Sequence, residues 1–173
     1  MPDQVATIVG LTVTRLRAQF DPTQDVPPLG GGTDRVHILA GEVVVPPPWV
    51  GFSDDSSASC EGCGPYLWVR LVRRWRTGDF PAEAATGSCM DRRACTIEAG
   101  IARCHPFEAA PAALEQAAAV QWDDSWRIDA ALCAALRDAE DAGAATDSAL
   151  GPGEPYGPEG LVLAWTQVAH AQL

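Results

Sequence analysis

The feature that most constrains the fold is a helical pattern that begins at Pro111 and runs to about Ala142. Leu114, Ala118, Gln121, Ser125, Ile128, Leu132, Ala135 and Ala139 trace one face at 3.6-residue spacing. Pro111 suits the first helical position, where its missing N–H costs nothing. A straight helix of about 30 residues runs ~45 Å, longer than the ~40 Å diameter of a domain this size. The pattern therefore predicts a break or bend near Trp122 to Ser125, or a helix that overhangs into a neighbour. The 173 residues read as one domain, 1–173, built around that helix.

Around it the chain alternates in kind. Val5, Ile8, Val9, Thr12, Leu16 and Phe20 recur at helical spacing, with Asp3 as a candidate N-cap. Prolines and a triple glycine make Asp21 to Thr33 a loop. Arg35 to Val45 reads as extended chain that stops at Pro46-Pro47-Pro48. Tyr66 to Arg76 is the strongest strand, with Leu67, Val69 and Leu71 facing one way and Trp68, Arg70, Val72 and Arg74 the other. Ala94 to Cys104 is a second strand, antiparallel to the first across a long connection, Thr77 to Arg93. Gly160 to Ala171 is a closing strand. Four segments are expected as extended loops: 21–34, 46–64, 77–93 and the Gly/Pro-rich 143–159. The order α-β-β-β-α-β predicts an α+β fold, a mostly antiparallel four-stranded sheet flanked by two helices.

Composition bounds the function. Twelve arginines face 23 carboxylates, for a net charge of −11, and there is neither lysine nor asparagine. Their absence, beside abundant Ala, Gly, Pro and Arg, points to a GC-rich genome such as that of an actinobacterium or one of its phages. A net acidic chain repels phosphate, so specific nucleic-acid binding is disfavoured. No stretch reaches the roughly 18 apolar residues of a membrane span, and the N-terminus lacks the pattern of a secretory signal. No membrane association is expected.

No catalytic constellation assembles. There is no nucleophile elbow, no phosphate-binding glycine loop and no paired-histidine motif. His37, His105 and His170 lie in three separate segments. The reading is of a non-enzyme without a cofactor. Cys60 and Cys63, split by Glu61-Gly62, alone have metal-like spacing. Cys89 and Cys95 are too far apart in sequence to complete a zinc site, so no zinc is expected. In a reducing cytoplasm free thiols come first for these cysteines and a disulfide second. If the strand pairing holds, Cys63 lies close to Cys104. Cys133 reads as a small core residue.

Two sets of residues suit interfaces. Arg70, Arg73, Arg74 and Arg76, with Arg92 and Arg93 across the loop, form a basic run. The long helix carries Asp123, Asp124, Asp129, Asp138, Glu140 and Asp141. These charges either pair within the chain or set register between subunits of a ring. Trp122 and Trp126, one turn apart, are either core, as burial statistics favour, or anchors of a subunit contact. In the 77–93 loop Phe80 and the pair Arg92-Arg93 have the makings of a docking element. The alternative is that Phe80 folds back on its own sheet.

Cys63, Gly64, Tyr66, Leu67, Trp68, Val69, Arg70 and Leu71, followed by Phe80-Pro81, resemble a pattern in small head–tail junction proteins of long-tailed actinobacteriophages. The likeness continues through Ala102-Arg103-Cys104-His105-Pro106, the Pro111 helix, Asp129 to Cys133, and Gly157-Pro158-Glu159-Gly160. It covers most of the chain from Cys63 onward, and it rests on the order of the motifs. The element order is similar to that of the tail terminator, or tail completion protein. That resemblance implies a structural virion protein of the neck, assembled in the host cytoplasm. It would form a homohexameric ring between the major tail tube protein and the head-completion (stopper) protein. Double-stranded DNA would pass its acidic lumen unbound. Another connector component, stopper or adaptor, is the neighbouring alternative. A host acidic protein-binding module with a Cys-rich zinc clip is the alternative from another class.

Overall fold

The computed structural model describes residues 3–41, 64–83, 87–104, 110–159 and 162–173. Trp49, Cys60, Cys63 and His105, with the triple proline, lie outside the described residues. The element order is α1 (Gln4–Gln19), β1 (Val36–Leu39), β2 (Tyr66–Thr77), β3 (Arg92–Cys104), α2 (Pro111–Asp141), β4 (Asp147–Glu159) and β5 (Val162–Gln172). The five strands form one mixed sheet in the order β1-β2-β3-β5-β4. β1 runs parallel to β2, and every other pair is antiparallel. The fold is α+β, and it is not a barrel.

Two expectations are corrected. The sheet has five strands rather than four, because 143–159 is not a loop: β4 occupies most of it and pairs along β5. Its Gly151, Pro152, Gly153, Pro155 and Pro158 disguise a strand, and they are tolerated because β4 is an edge. The helix, in turn, does not break. α2 is continuous for 31 residues, about 46 Å at 1.5 Å per residue, and ends at Gly143, whose φ of +68° supplies the left-handed turn-off.

α1 begins where Asp3 accepts a hydrogen bond from Val5 N–H at 3.1 Å, an N-cap that satisfies one of the helix's free donors. Its apolar face, Val5, Ile8, Val9, Val13 and Leu16, is buried. That face packs with the C-terminal half of α2 and the inner side of the sheet. Leu67 and Val69 of β2 join this core, as do Cys95, Ile97, Ala99 and Ile101 of β3. The Cys95 thiol, desolvated there, is pushed up to about 11. The other side of the sheet holds a smaller cluster of Tyr66, Trp68, Ala102, Val162 and Ala164. Gly100 makes room for it, since a Cβ there would lie 2.3 Å from the Trp68 ring.

β2 departs from simple alternation. The register slips between Leu71 and Arg73, where Val72 is the extra residue of a bulge. Past it the faces exchange. Arg73 and Trp75 join Arg70 on the outer side, opposite Thr96 and Ala94, while Arg74 turns inward opposite Cys95. Arg74 thus reaches Asp3 at the start of α1 rather than lying beside Arg70.

Among the described cysteines Cys89, Cys95 and Cys133 are free, and Cys104 is in a disulfide. The free-thiol expectation therefore fails at Cys104. No helix among the described residues is long and apolar enough to cross a membrane.

Candidate interaction surface on the long helix

α2 has two halves with different surroundings. From Asp124 onward it buries Ile128, Ala131, Leu132, Ala135, Leu136 and Ala139. Before Asp124 none of its residues is buried. Its first two turns are exposed, and residues 117–121 are half-buried, with Gln121 Nε2 donating to the Ala164 carbonyl at 3.2 Å, so this part of the helix is an unbroken overhang above β3 and β5.

Beneath that overhang is a cleft of about 310 Å³. Its roof is a helical stripe at i, i+3, i+4, i+7, i+8 and i+11: Ala113, Gln116, Ala117, Val120, Gln121 and Asp124. Its floor is Ile101 and Arg103 of β3 with Leu163, Ala164 and Trp165 of β5. The Trp165 Nε1, which has no hydrogen-bond partner among the described residues, lies against β4, where a Cβ on Gly153 would come within 2.9 Å of it.

Arg103 braces the inner end of the cleft. Its Nε and Nη2 donate to the two carboxylate oxygens of Asp124 at 2.6 and 2.7 Å, a planar fork on a carboxylate. The same guanidinium donates to the carbonyls of Gly30 and Gly31. Gly30 allows this close approach, because a Cβ there would lie 2.5 Å from Val120. Burial pushes the Asp124 carboxyl up, and the Arg103 fork pulls against that shift. A turn later Arg127 donates to Asp123 at 2.8 Å and to the carbonyls of Gln19 and Val26. Asp123 also accepts from Leu29 N–H. Segment 26–31 is thereby fastened to α2.

On the opposite side of the same helix stand Trp122 and Trp126, 71% and 68% exposed. At 100° per residue they point almost diametrically away from the cleft stripe. The core reading of these two tryptophans is therefore overturned, and the anchor reading keeps them. Val26 and Leu29, in the fastened segment beside them, are exposed as well.

The basic run tells a different story. Arg70 forks onto Glu98 at 2.8 and 2.9 Å, and Glu98 also accepts from Trp68 Nε1. Arg73 pairs with Glu83 at 2.6 Å, and Arg74 pairs with Asp3. Arg76 donates to the carbonyls of Cys89 and Asp91, and Arg92 donates to Gln172. Arg93 is exposed and makes no side-chain hydrogen bond among the described residues. On the acidic side Asp138 takes Arg15 at 2.6 and 2.7 Å, Asp129 accepts from Gln167 and Glu140 accepts from Ser148. Strand and helix charges are thus satisfied largely within one chain. They are not a basic face waiting for an acidic neighbour.

Phe80 folds back, as the alternative for that loop held. Its ring stacks on Trp75 with centroids 6.2 Å apart and planes at 10°. Around it is a polar knot that sequence spacing gave no sign of. Thr96 Oγ1 accepts from Trp75 Nε1 at 3.0 Å, donates to Glu83 at 3.2 Å, and lies 3.0 Å from His170 Nδ1. Hydroxyl, imidazole and carboxylate meet here, but Thr96 is only 2% exposed. With its oxygen already taken by an indole N–H, it offers no open path to a substrate. The knot is a structural fastening of the 78–83 segment onto β2, β3 and β5. No group of three or more metal-ligating side chains forms among the described residues. No protein-family model matches the chain, and no curated protein matches it in sequence.

Proposed function

We propose that this chain is a structural subunit of the neck of a long-tailed phage, a tail-terminator ring that closes the tail tube and joins it to the head connector. The carrying observation is the overhang of α2, a rigid and internally ion-paired arm that presents two exposed tryptophans. Exposed indoles on a braced helix are what an assembly contact needs, because they bury large area at small entropy cost. The two helices on one side of a sheet are consistent with the terminator, whereas a stopper built as a small β-barrel is not, since this sheet does not close. Self and the tail tube are the partners proposed first, with the stopper on the head side.

The charge supports passage rather than capture of DNA. Six arginines are already committed to carboxylates of the same chain. The excess of acid therefore has few free cations to offset it, and such a wall repels phosphate. The test is mass spectrometry and imaging of virions from a phage encoding this chain. The expected result is six copies at the junction of tail tube and head connector. Absence from the particle, or a ring of five or twelve, overturns the proposal.

A further inference from the structure

We propose that the cleft under α2 is the receptor for the tryptophans of a second copy of this chain, so that the protein self-associates head to tail. Three observations meet in this. The first is size. The cleft measures about 310 Å³, the space of roughly ten waters at ~30 Å³ each, which suits the nine-atom ring system of one indole. Ala113, Ala117, Val120, Leu163 and Trp165 supply apolar and aromatic wall for an indole, alongside the polar Gln116, Gln121, Arg103 and Asp124.

The second is disposition. The cleft stripe and the Trp122/Trp126 pair lie on opposite faces of one continuous helix. A knob and a hole on opposite sides of an element cannot satisfy each other in a two-fold dimer that uses a single patch. They satisfy each other head to tail, which closes into a ring or runs on as a filament. At their exposures the two indoles bring about 200–350 Å² to the contact, a substantial part of the ~800 Å² that one side of a standard interface buries.

The third is charge. A chain of net charge −11 repels its own copies unless the meeting faces are neutral. The cleft meets this condition: its only charged lining residues, Arg103 and Asp124, pair with each other, and Asp123 beside it is held by Arg127. The knob face carries one exposed carboxylate, Glu115, in line with the two tryptophans, and it enters a hole that offers no net charge against it. One indole enters the cleft and the other covers its rim. The inference rests on the ring reading only for closure into six. The contact itself stands on the geometry, so the two fail separately: one in virions, the other with purified protein.

The experiment uses the full chain in sedimentation and native mass spectrometry up to millimolar concentration. Wild type is expected to associate as its concentration rises. The double variant W122A/W126A removes the knob, and A117F fills the hole, with A117L as the smaller filler should A117F not fold. Each is expected to lose at least about 30-fold in association constant, the effect of one hot-spot side chain. A 1:1 mixture of the two carries one intact knob and one intact hole, and is expected to give heterodimers and nothing larger. The inference is overturned by a wild type that stays monomeric throughout, by variants that associate as wild type does, or by a mixture that stays monomeric. A two-fold contact of tryptophans with tryptophans would show instead as A117F associating as wild type does while W122A/W126A stays monomeric.

Discussion

The two halves of α2 differ in what their side chains are for. From Asp124 to Asp141 the helix is an ordinary core element, with one face closed against α1 and the sheet. From Pro111 to Asp123 it has the same backbone and a similar alanine content, yet its first two turns are exposed and the rest is at most half-buried. Isolated short helices are marginal in water. The overhang is helical because it continues a packed helix and because Arg103 and Arg127 clamp the junction between the halves. A rigid free arm is thus obtained by extending a packed one.

The contrast can be broken at the clamp. Replacing Asp124 by Ala strands the Arg103 guanidinium, which is only 13% exposed, without its partner. The expected loss is about 3–5 kcal/mol, seen as an earlier midpoint in denaturant unfolding. Leu132→Ala, fully buried in the packed half, is expected to cost about 2–5 kcal/mol by the same measurement, from lost burial plus a cavity.

A smaller effect comes from the knot that fastens the 78–83 segment. Desolvation lowers the His170 pKa from 6.5, with Glu83 opposing and Arg73 assisting that shift. The fold therefore favours the neutral ring. That contribution is full above pH 6.5 and is lost as pH falls below it. His170→Gln is expected to flatten this part of the stability profile, measured as unfolding midpoints at mildly acid and neutral pH. An unchanged slope would show that His170 does not carry it. The smallest effect belongs to the arm. Leu114→Gln, at a position 47% exposed, is expected to stay within about 0.5 kcal/mol of wild type. A larger loss would mean that the overhang is packed after all.

Periodicity made α1, β2, β3, α2 and β5 legible, because each buries one face against the core. β4 was not legible, since an edge strand tolerates the prolines and glycines that elsewhere mark a loop. The bulge at Val72 was hidden because Arg73 and Arg74 follow it directly, so the pattern carries no burial signal there. Charge pairing was hidden by distance: Arg15 and Asp138 are 123 residues apart, and only the packing of α1 on α2 brings them together. Trp122 and Trp126 were misjudged by composition alone, which favours burial for tryptophan. Their angle on the helix, opposite the stripe that continues into Ile128, Leu132 and Ala135, held the signal. The anchoring of Phe80 on Trp75 needed the bulge, which turns Trp75 to the outer side.

The prolines of β4 have a consequence for how the molecule behaves when crowded. A strand at the rim of a sheet is a template on which other chains can grow by backbone pairing, the route to fibres. Pro152, Pro155 and Pro158 recur every third residue along this rim, and none of them has an N–H to offer. A stranger strand laid against β4 would meet a ladder with rungs missing. Local concentration is very high wherever many copies gather at one site, and there this rim discourages growth by sheet extension.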